Sequence, residues 1–300
     1  MLLPEGLIPA SYTPFTSDYK LDTKVLLERL ESVTDGSTGL HGPTNHGEMC
    51  ELTFDEWKQW IDVMLDVCKR HNLHSWSFLG TESFEKTIPY AEHAISAGTS
   101  GIILHAPYKV KYSVEAAYQY VKAFAEEFSE TPIIFYPNFN TGDPTSPELV
   151  ARLSELPNIV GVKMTRLFNI EQAGEVYRMT RNNPKFRIVT GSLLNLYPLR
   201  GLEIKASFSP QSNYVHDWSL KLWKALQEKD WETSDIWYDK INKLHYAFCH
   251  PGGYVHTYAA EKAAMEMIGK PVGTLRRPGL PATEEQKAVV RKALVEAGLL

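Results

Sequence analysis

The chain has 300 residues and a mass of 34.0 kDa, a length that suits either two ordinary domains or one large barrel. With 43% hydrophobic and 22% charged residues it has a globular make-up, which excludes general disorder, and no apolar run approaches the roughly 20 residues that span a bilayer. A net charge of −5 and a pI of about 6.1, with lysines and arginines scattered along the chain, argue against nucleic-acid or polybasic membrane partners. Residues 1–15 have neither a basic leader nor a long apolar stretch, so a secretory signal is not expected and the cytoplasm is the expected location. Cys50, Cys68 and Cys249 are odd in number and far apart, which reads as reduced, mostly buried thiols.

One pattern recurs from residue 6 to about residue 211: a short apolar strand, a polar turn, an amphipathic helix. The strands are expected at Gly6–Phe15, Gly39–Gly42, Ser75–Gly80, Gly101–Pro107, Pro132–Asn138, Ile159–Thr165, Arg187–Gly191 and Ala206–Pro210. Spacings of roughly 18 to 36 residues suit parallel βα units. Thr53 and Glu56 form a capping box, followed by Trp57, Trp60, Ile61, Met64, Leu65 and Cys68 on one helical face. Ser146 with Pro147 reads as an N-cap and a first-turn proline. Eight such strands predict an α/β fold, a closed (β/α)8 TIM barrel, with an open doubly wound sheet as the alternative. After residue 213 only helices are expected, at Trp218–Gln227, Trp231–Phe248, Tyr258–Gly269 and Thr283–Ala297, the last with a second capping box from Thr283 and Gln286. The chain therefore divides into a barrel over 1–228 and a C-terminal helical extension over 229–300.

Lys163, inside Ile159–Thr165, is the sharpest chemical feature. A lysine in a buried strand costs several kcal/mol unless it is paired or neutral. Strand alternation puts Gly161, Lys163 and Thr165 on the inward face, with Gly161 leaving room beside the lysine. Desolvation there would free the amine to attack a carbonyl carbon and form a Schiff base. A lysine at a strand end reaching into solvent is the plainer alternative. Tyr136, at the carboxyl end of the preceding strand, lies where such barrels keep catalytic groups and offers a phenol for proton transfer. An aromatic capping the core explains it equally.

Lys163 in Val160–Lys163, with Tyr136 opening Tyr136–Gly142, resembles the dihydrodipicolinate synthase / N-acetylneuraminate lyase family of class I aldolases. Further pieces match in order: Ala10–Phe15, Gly47-Glu48 with Leu52-Thr53, Ala106–Tyr108, Gly191-Ser192, Ser207–Asn213 and Arg276–Pro281. The resemblance covers nearly the whole chain. It implies a barrel with a C-terminal helical domain, assembled as a tetramer or dimer. It also implies a lyase that needs no cofactor and joins Lys163 as an imine to pyruvate or another 2-oxo acid. Tyr136 would be the proton shuttle, and the backbone carbonyl of Phe208 would contact bound pyruvate.

Departures from the family pattern shape the expectation further. The box that holds the pyruvate carboxylate in the family reads Gly42–Glu48 here, placing Asn45 and His46, or Thr44 under a shifted alignment, where hydroxyls belong. All three side chains can donate hydrogen bonds to a carboxylate. Phe139 and Asn140 stand where the synthase carries an arginine for its second substrate, and Lys109 replaces the second tyrosine of its relay. Dihydrodipicolinate synthase proper is thereby disfavoured. Arg166 either anchors a distal carboxylate or hydroxyl in place of that arginine or is a solvated loop residue. His41, His46 and Glu48 near one strand end raise a metal reading, but Tyr12-Thr13-Pro14 occupies the place where barrel metal-hydrolases carry His-x-His, so no metal is expected. The C-terminal histidines read as surface or packing residues, and Trp231 and Trp237 as core or subunit-interface residues. Aldol cleavage or condensation with pyruvate leads. A hydratase-aldolase or 2-keto-3-deoxy sugar acid dehydratase, and a non-catalytic small-molecule-binding paralogue, are the alternatives.

Overall fold

The computed structural model describes residues 1–80, 83–106, 113–137, 146–165, 169–249 and 257–300. Eight strands form one parallel sheet: β1 (Gly6–Pro9), β2 (Gly39–Gly42), β3 (His74–Leu79), β4 (Gly101–His105), β5 (Ile133–Tyr136), β6 (Ile159–Met164), β7 (Arg187–Thr190) and β8 (Ala206–Ser209). From β2 to β8 each strand pairs with the next in sequence, and β1 pairs with β8. A parallel bridge from Ala10 to His41 brings β1 to β2, so the sheet comes close to closing on itself. This is the (β/α)8 barrel, and the open doubly wound sheet is excluded.

Helices α1 (Thr23–Glu31), α2 (Phe54–His71), α3 (Phe84–Ser96), α4 (Val114–Glu127), α5 (Pro147–Ser154), α6 (Ile170–Thr180) and the short α7 (Leu193–Leu196) follow the first seven strands. The strands read as continuous apolar runs because both faces are covered; Ile102, Ile103 and Leu104 on β4 are all inaccessible to solvent. Both predicted capping boxes form, at Thr53/Glu56 and Thr283/Gln286, and the Ser146 hydroxyl accepts from the Leu149 N–H. On α2 the buried face is Trp57, Trp60, Ile61, Met64, Val67 and Cys68, with Leu65 only half-buried. A Cβ at Gly42 would stand 2.2 Å from the Trp60 ring, so β2 can meet α2 only with glycine there.

Most strands end one or two residues earlier than expected, and β1 stops at Pro9 rather than Phe15. Its partner β8 ends before Pro210, which has no N–H to extend the ladder. Residues 10–15 instead run over the barrel mouth. Helix α8 (Ser212–Glu228) starts six residues before Trp218, but Val215 is non-helical, so its first turn is kinked away from the body of the helix. The extension then packs α8 on α9 (Trp231–Cys249), and α9 and α10 (Thr257–Met267) on α11 (Glu284–Glu296). Trp237 is taken up within this bundle, against Trp218 and under Lys221 and Lys240, while Trp231 stays partly exposed beside Arg200. Among the cysteines only Cys68 is buried; Cys50 is exposed and Cys249 half-exposed beside His245. No helix among the described residues is long and apolar enough to cross a membrane.

Candidate active site

Lys163 points into the barrel, as strand alternation requires. Its residue is buried, and its ammonium position lies 4.5 Å from the centroid of the Tyr136 ring, 4.8 Å from that of Phe208 and 5.6 Å from that of Phe78. Burial pulls its pKa down to about 7, although the three ring faces favour the ammonium and resist that shift. An amine at that point is partly neutral at physiological pH and can add to a carbonyl carbon. Gly161 does not make room for its stem, since its close neighbour is the Arg187 carbonyl; Gly191 is the glycine beside the stem, where a Cβ would be in ordinary contact with the Lys163 Cε at 3.6 Å. A register shift between β5 and β6 at Ile133/Ile134 sets Phe135 opposite Val162. That offset brings Tyr136 alongside Lys163.

Two histidines that sequence reasoning did not connect to the lysine surround it. His41 on β2 is fully buried, with Nε2 at 3.1 Å from Lys163 Nζ and Nδ1 at 3.2 Å from the Trp76 carbonyl oxygen. Burial first, and the charge of Lys163 second, hold its pKa well below the ordinary histidine value. His105 at the end of β4 meets the Tyr136 ring edge-on at 5.0 Å between centroids, and burial lowers its pKa to about 4. Both rings are therefore neutral near pH 7. The lysine faces aromatic and uncharged neighbours, which preserves a low pKa better than a carboxylate would.

At the mouth, the loop after β2 is held from several sides. The Thr44 hydroxyl accepts from the N–H groups of His46 (3.1 Å) and Gly47 (3.4 Å), while the Thr13 hydroxyl donates to the Gly47 carbonyl. Asn45 and His46 are half-buried, and the His46 ring lies 4.9 Å from that of Tyr258 on α10. Glu48, in the left-handed region at φ 50°, accepts from the Arg276 N–H at 2.9 Å and pairs with buried Lys262 at 2.6 Å. Lys262 also donates to the carbonyls of Thr13 (3.0 Å) and Thr274 (2.8 Å). The Arg276 guanidinium grips Glu56 at 2.6 and 2.7 Å, which lowers that carboxyl to about 2. Nearby, burial pushes the Glu261 carboxyl up to about 8, partly offset by Tyr12.

The predicted residues thus fall into three groups. Lys163, Tyr136 and Phe208 meet inside the barrel; Phe208 contributes its ring there, 4.3 Å from that of His41. Thr44, Asn45 and His46 share one loop at the mouth. Asn140 and Arg166, like Lys109, lie outside the described residues. Glu48 is engaged by Lys262 and Arg276 and His41 by Lys163, which gives each a role other than the metal ligation their spacing raised. The family motif at Ser207–Asn213 is architectural in part: the Asn213 amide donates to the Ala10 carbonyl at 2.8 Å and ties the start of α8 to the residue that follows β1.

The dihydrodipicolinate synthetase family model matches residues 3–297. The chain is 28% identical over 297 residues to a 4-hydroxy-tetrahydrodipicolinate synthase of Archaeoglobus fulgidus, covering 99% of each protein. It is 27% identical over 290 residues to an uncharacterised DapA-like lyase of Pyrococcus furiosus, covering 91% of this chain and 90% of the relative. Among solved structures it resembles the dihydrodipicolinate synthase of Acinetobacter baumannii, determined in complex with pyruvate, with 25% identity, 99% of each chain covered and a TM-score of 0.89. With barrel, inward lysine and full-length match in agreement, the chain belongs to the dihydrodipicolinate synthetase family and is a lyase of that family.

Proposed function

We propose that the protein forms an imine between Lys163 and the keto carbon of a 2-oxo acid and catalyses aldol cleavage or condensation with pyruvate as one component. The observation that carries this reading is the buried Lys163 amine, lowered to about 7 and held over the Tyr136 ring. Tyr136 moves protons to and from the adduct. Thr44, Asn45 and His46 hold the carboxylate, the Phe208 carbonyl contacts the oxo acid, and Asn140 and Arg166 serve the distal end of the substrate. The departures at Asn140 and Lys109 set this activity apart from dihydrodipicolinate synthase proper. A cytoplasmic homo-oligomer, tetramer or dimer, fits the resemblance.

Borohydride reduction in the presence of pyruvate is expected to add the mass of the reduced adduct to Lys163; no increment on that residue refutes imine formation with pyruvate. The initial trapping rate should rise with pH through about 7, because only the neutral amine attacks. Two units below that value roughly 1% of the amine is neutral, so trapping at pH 5 should be slow. A rate flat between pH 5 and pH 8 would contradict a lysine held near 7. Tyr136→Phe removes the phenolic proton and is expected to lower kcat by about 10²- to 10⁴-fold while the adduct still traps. A variant with wild-type kcat would remove Tyr136 from the mechanism. Product analysis across aromatic and sugar-derived oxo acids distinguishes aldol chemistry from hydration or dehydration through the same imine.

A further inference from the structure

We propose that His41 is the proton acceptor for Lys163, taking the proton of its ammonium before attack and returning it to the hydroxyl that leaves as water. This rests on the imine reading above and adds a third catalytic side chain to Lys163 and Tyr136. Geometry fixes the roles of the two ring nitrogens. The Trp76 carbonyl can only accept, so the Nδ1 beside it carries the hydrogen, and the neutral ring presents the lone pair of Nε2 to Lys163 Nζ at 3.1 Å. Trp76 is also the ladder partner of His41 between β2 and β3, so the sheet register itself sets that hydrogen bond. The rings of Phe208 at 4.3 Å and Phe78 at 5.7 Å pack against the imidazole and restrict its rotation.

The groups that bear on this pair come from three neighbouring strands and the mouth loop. Lys163 stands on β6, Tyr136 on β5 and His105 on β4, with His46 in the loop after β2. Lys163 and His46 both disfavour a lasting charge on His41, which suits a group that holds its proton only in transit. The steps balance. The ammonium gives a proton to Nε2, and the amine adds to the keto carbon as the carbonyl π pair moves to oxygen. A proton shifts from nitrogen to that oxygen, giving the neutral carbinolamine. The imidazolium then protonates the hydroxyl, the carbon–oxygen bond breaks, water leaves and the protonated imine forms. Summed over amine, imidazole and keto group the net charge stays at one positive throughout; the zwitterion formed on addition adds a second cation only together with its alkoxide, and the nitrogen-to-oxygen proton shift removes both.

The test measures the rate of pyruvate trapping on Lys163 in His41→Gln, which retains an acceptor but cannot carry a proton, and in His41→Phe, which retains the aromatic packing. Either variant that keeps a wild-type melting temperature decides the matter. The expected result is imine formation slowed by about 100-fold at pH 6, with the deficit narrowing at pH 9 where the lysine is already deprotonated. A rate within twofold of wild type at pH 6, or a deficit equal at both pH values, would overturn the proposal; the second pattern marks a merely structural role. Failure of the wild-type protein to trap pyruvate at all would instead refute the imine reading itself.

Discussion

Lys163→Ala is expected to lower turnover by about 10⁴-fold or more and to abolish borohydride trapping, because the covalent route disappears with its nucleophile. The loss should appear in kcat rather than in stability. Lys163 lies buried among the rings of Phe78, Tyr136 and Phe208, and its amine carries a desolvation cost that the folded protein sheds when alanine replaces it. Deleting the methylene stem leaves a void, which opposes that gain, so a melting temperature close to wild type is the expected net result. Lys163→Arg provides the complementary measurement. It retains a cation near the aromatic rings but offers no nucleophilic amine, and it should be as inactive as the alanine variant. Steady-state turnover of an aldol substrate, once identified, or exchange of pyruvate methyl protons with solvent, reads the effect. Residual activity in Lys163→Ala above a few per cent would mean that the chemistry runs elsewhere.

Lys262→Met is expected to cost about 3–5 kcal/mol, read as a fall in melting temperature on the order of 10 °C. The ion pair with Glu48 is almost wholly buried, with side-chain exposures of 4% and 7%. Removing the cation leaves the Glu48 carboxylate uncompensated in a dry site, and it also orphans the carbonyls of Thr13 and Thr274. The size of this effect comes from the charge left behind rather than from the net worth of the pair. Glu48→Gln combined with Lys262→Met should therefore recover much of the loss, giving clear non-additivity in a double-mutant cycle. A single-variant cost below about 1 kcal/mol would show that water reaches Glu48. The loop carrying Thr44, Asn45 and His46 depends on the same anchor, so KM for the oxo acid should rise in Lys262→Met even where the protein stays folded.

The barrel was legible because its signals are local. Alternating apolar strands and capped helices such as Thr53/Glu56 state their structure within a few residues. Lys163 was legible for a related reason: a charge inside an apolar strand is an anomaly of the sequence itself. His41 was not. Its partner stands 122 residues away, and its meaning depends on β2 and β6 facing each other across a closed barrel. Nothing in the residues around His41 distinguishes a lysine partner from a metal ligand or a packed core histidine. The clamp on Glu48 was hidden in the same way, because Lys262 and Arg276 belong to segments whose own pattern reads only as helix and loop. The strand ends were overextended for a different reason. Residues such as Tyr12 and Phe15 are as apolar and buried as a strand requires, yet their backbone has no ladder partner beyond Ala10 and His41 except isolated bridges.

The Arg276 N–H bond that holds the mouth loop at Glu48 spans 228 positions of the chain, and the Lys262 that pairs with Glu48 also bonds Thr13, 249 positions away. Recombination between relatives therefore has an awkward seam: a crossover between the loop after β2 and α10 inherits one half of the clamp from each parent. Chimeras that swap inner strands and keep both ends from one parent avoid that mismatch, whereas exchange of the C-terminal third alone does not. The same linkage applies to directed evolution of substrate range. Because the His46 ring rests on Tyr258, a library that varies residues 44–46 while freezing α10 samples loops against a wall shaped for the parent sequence. Varying Tyr258 together with residues 44–46 treats the mouth as the single inherited unit that its contacts make it.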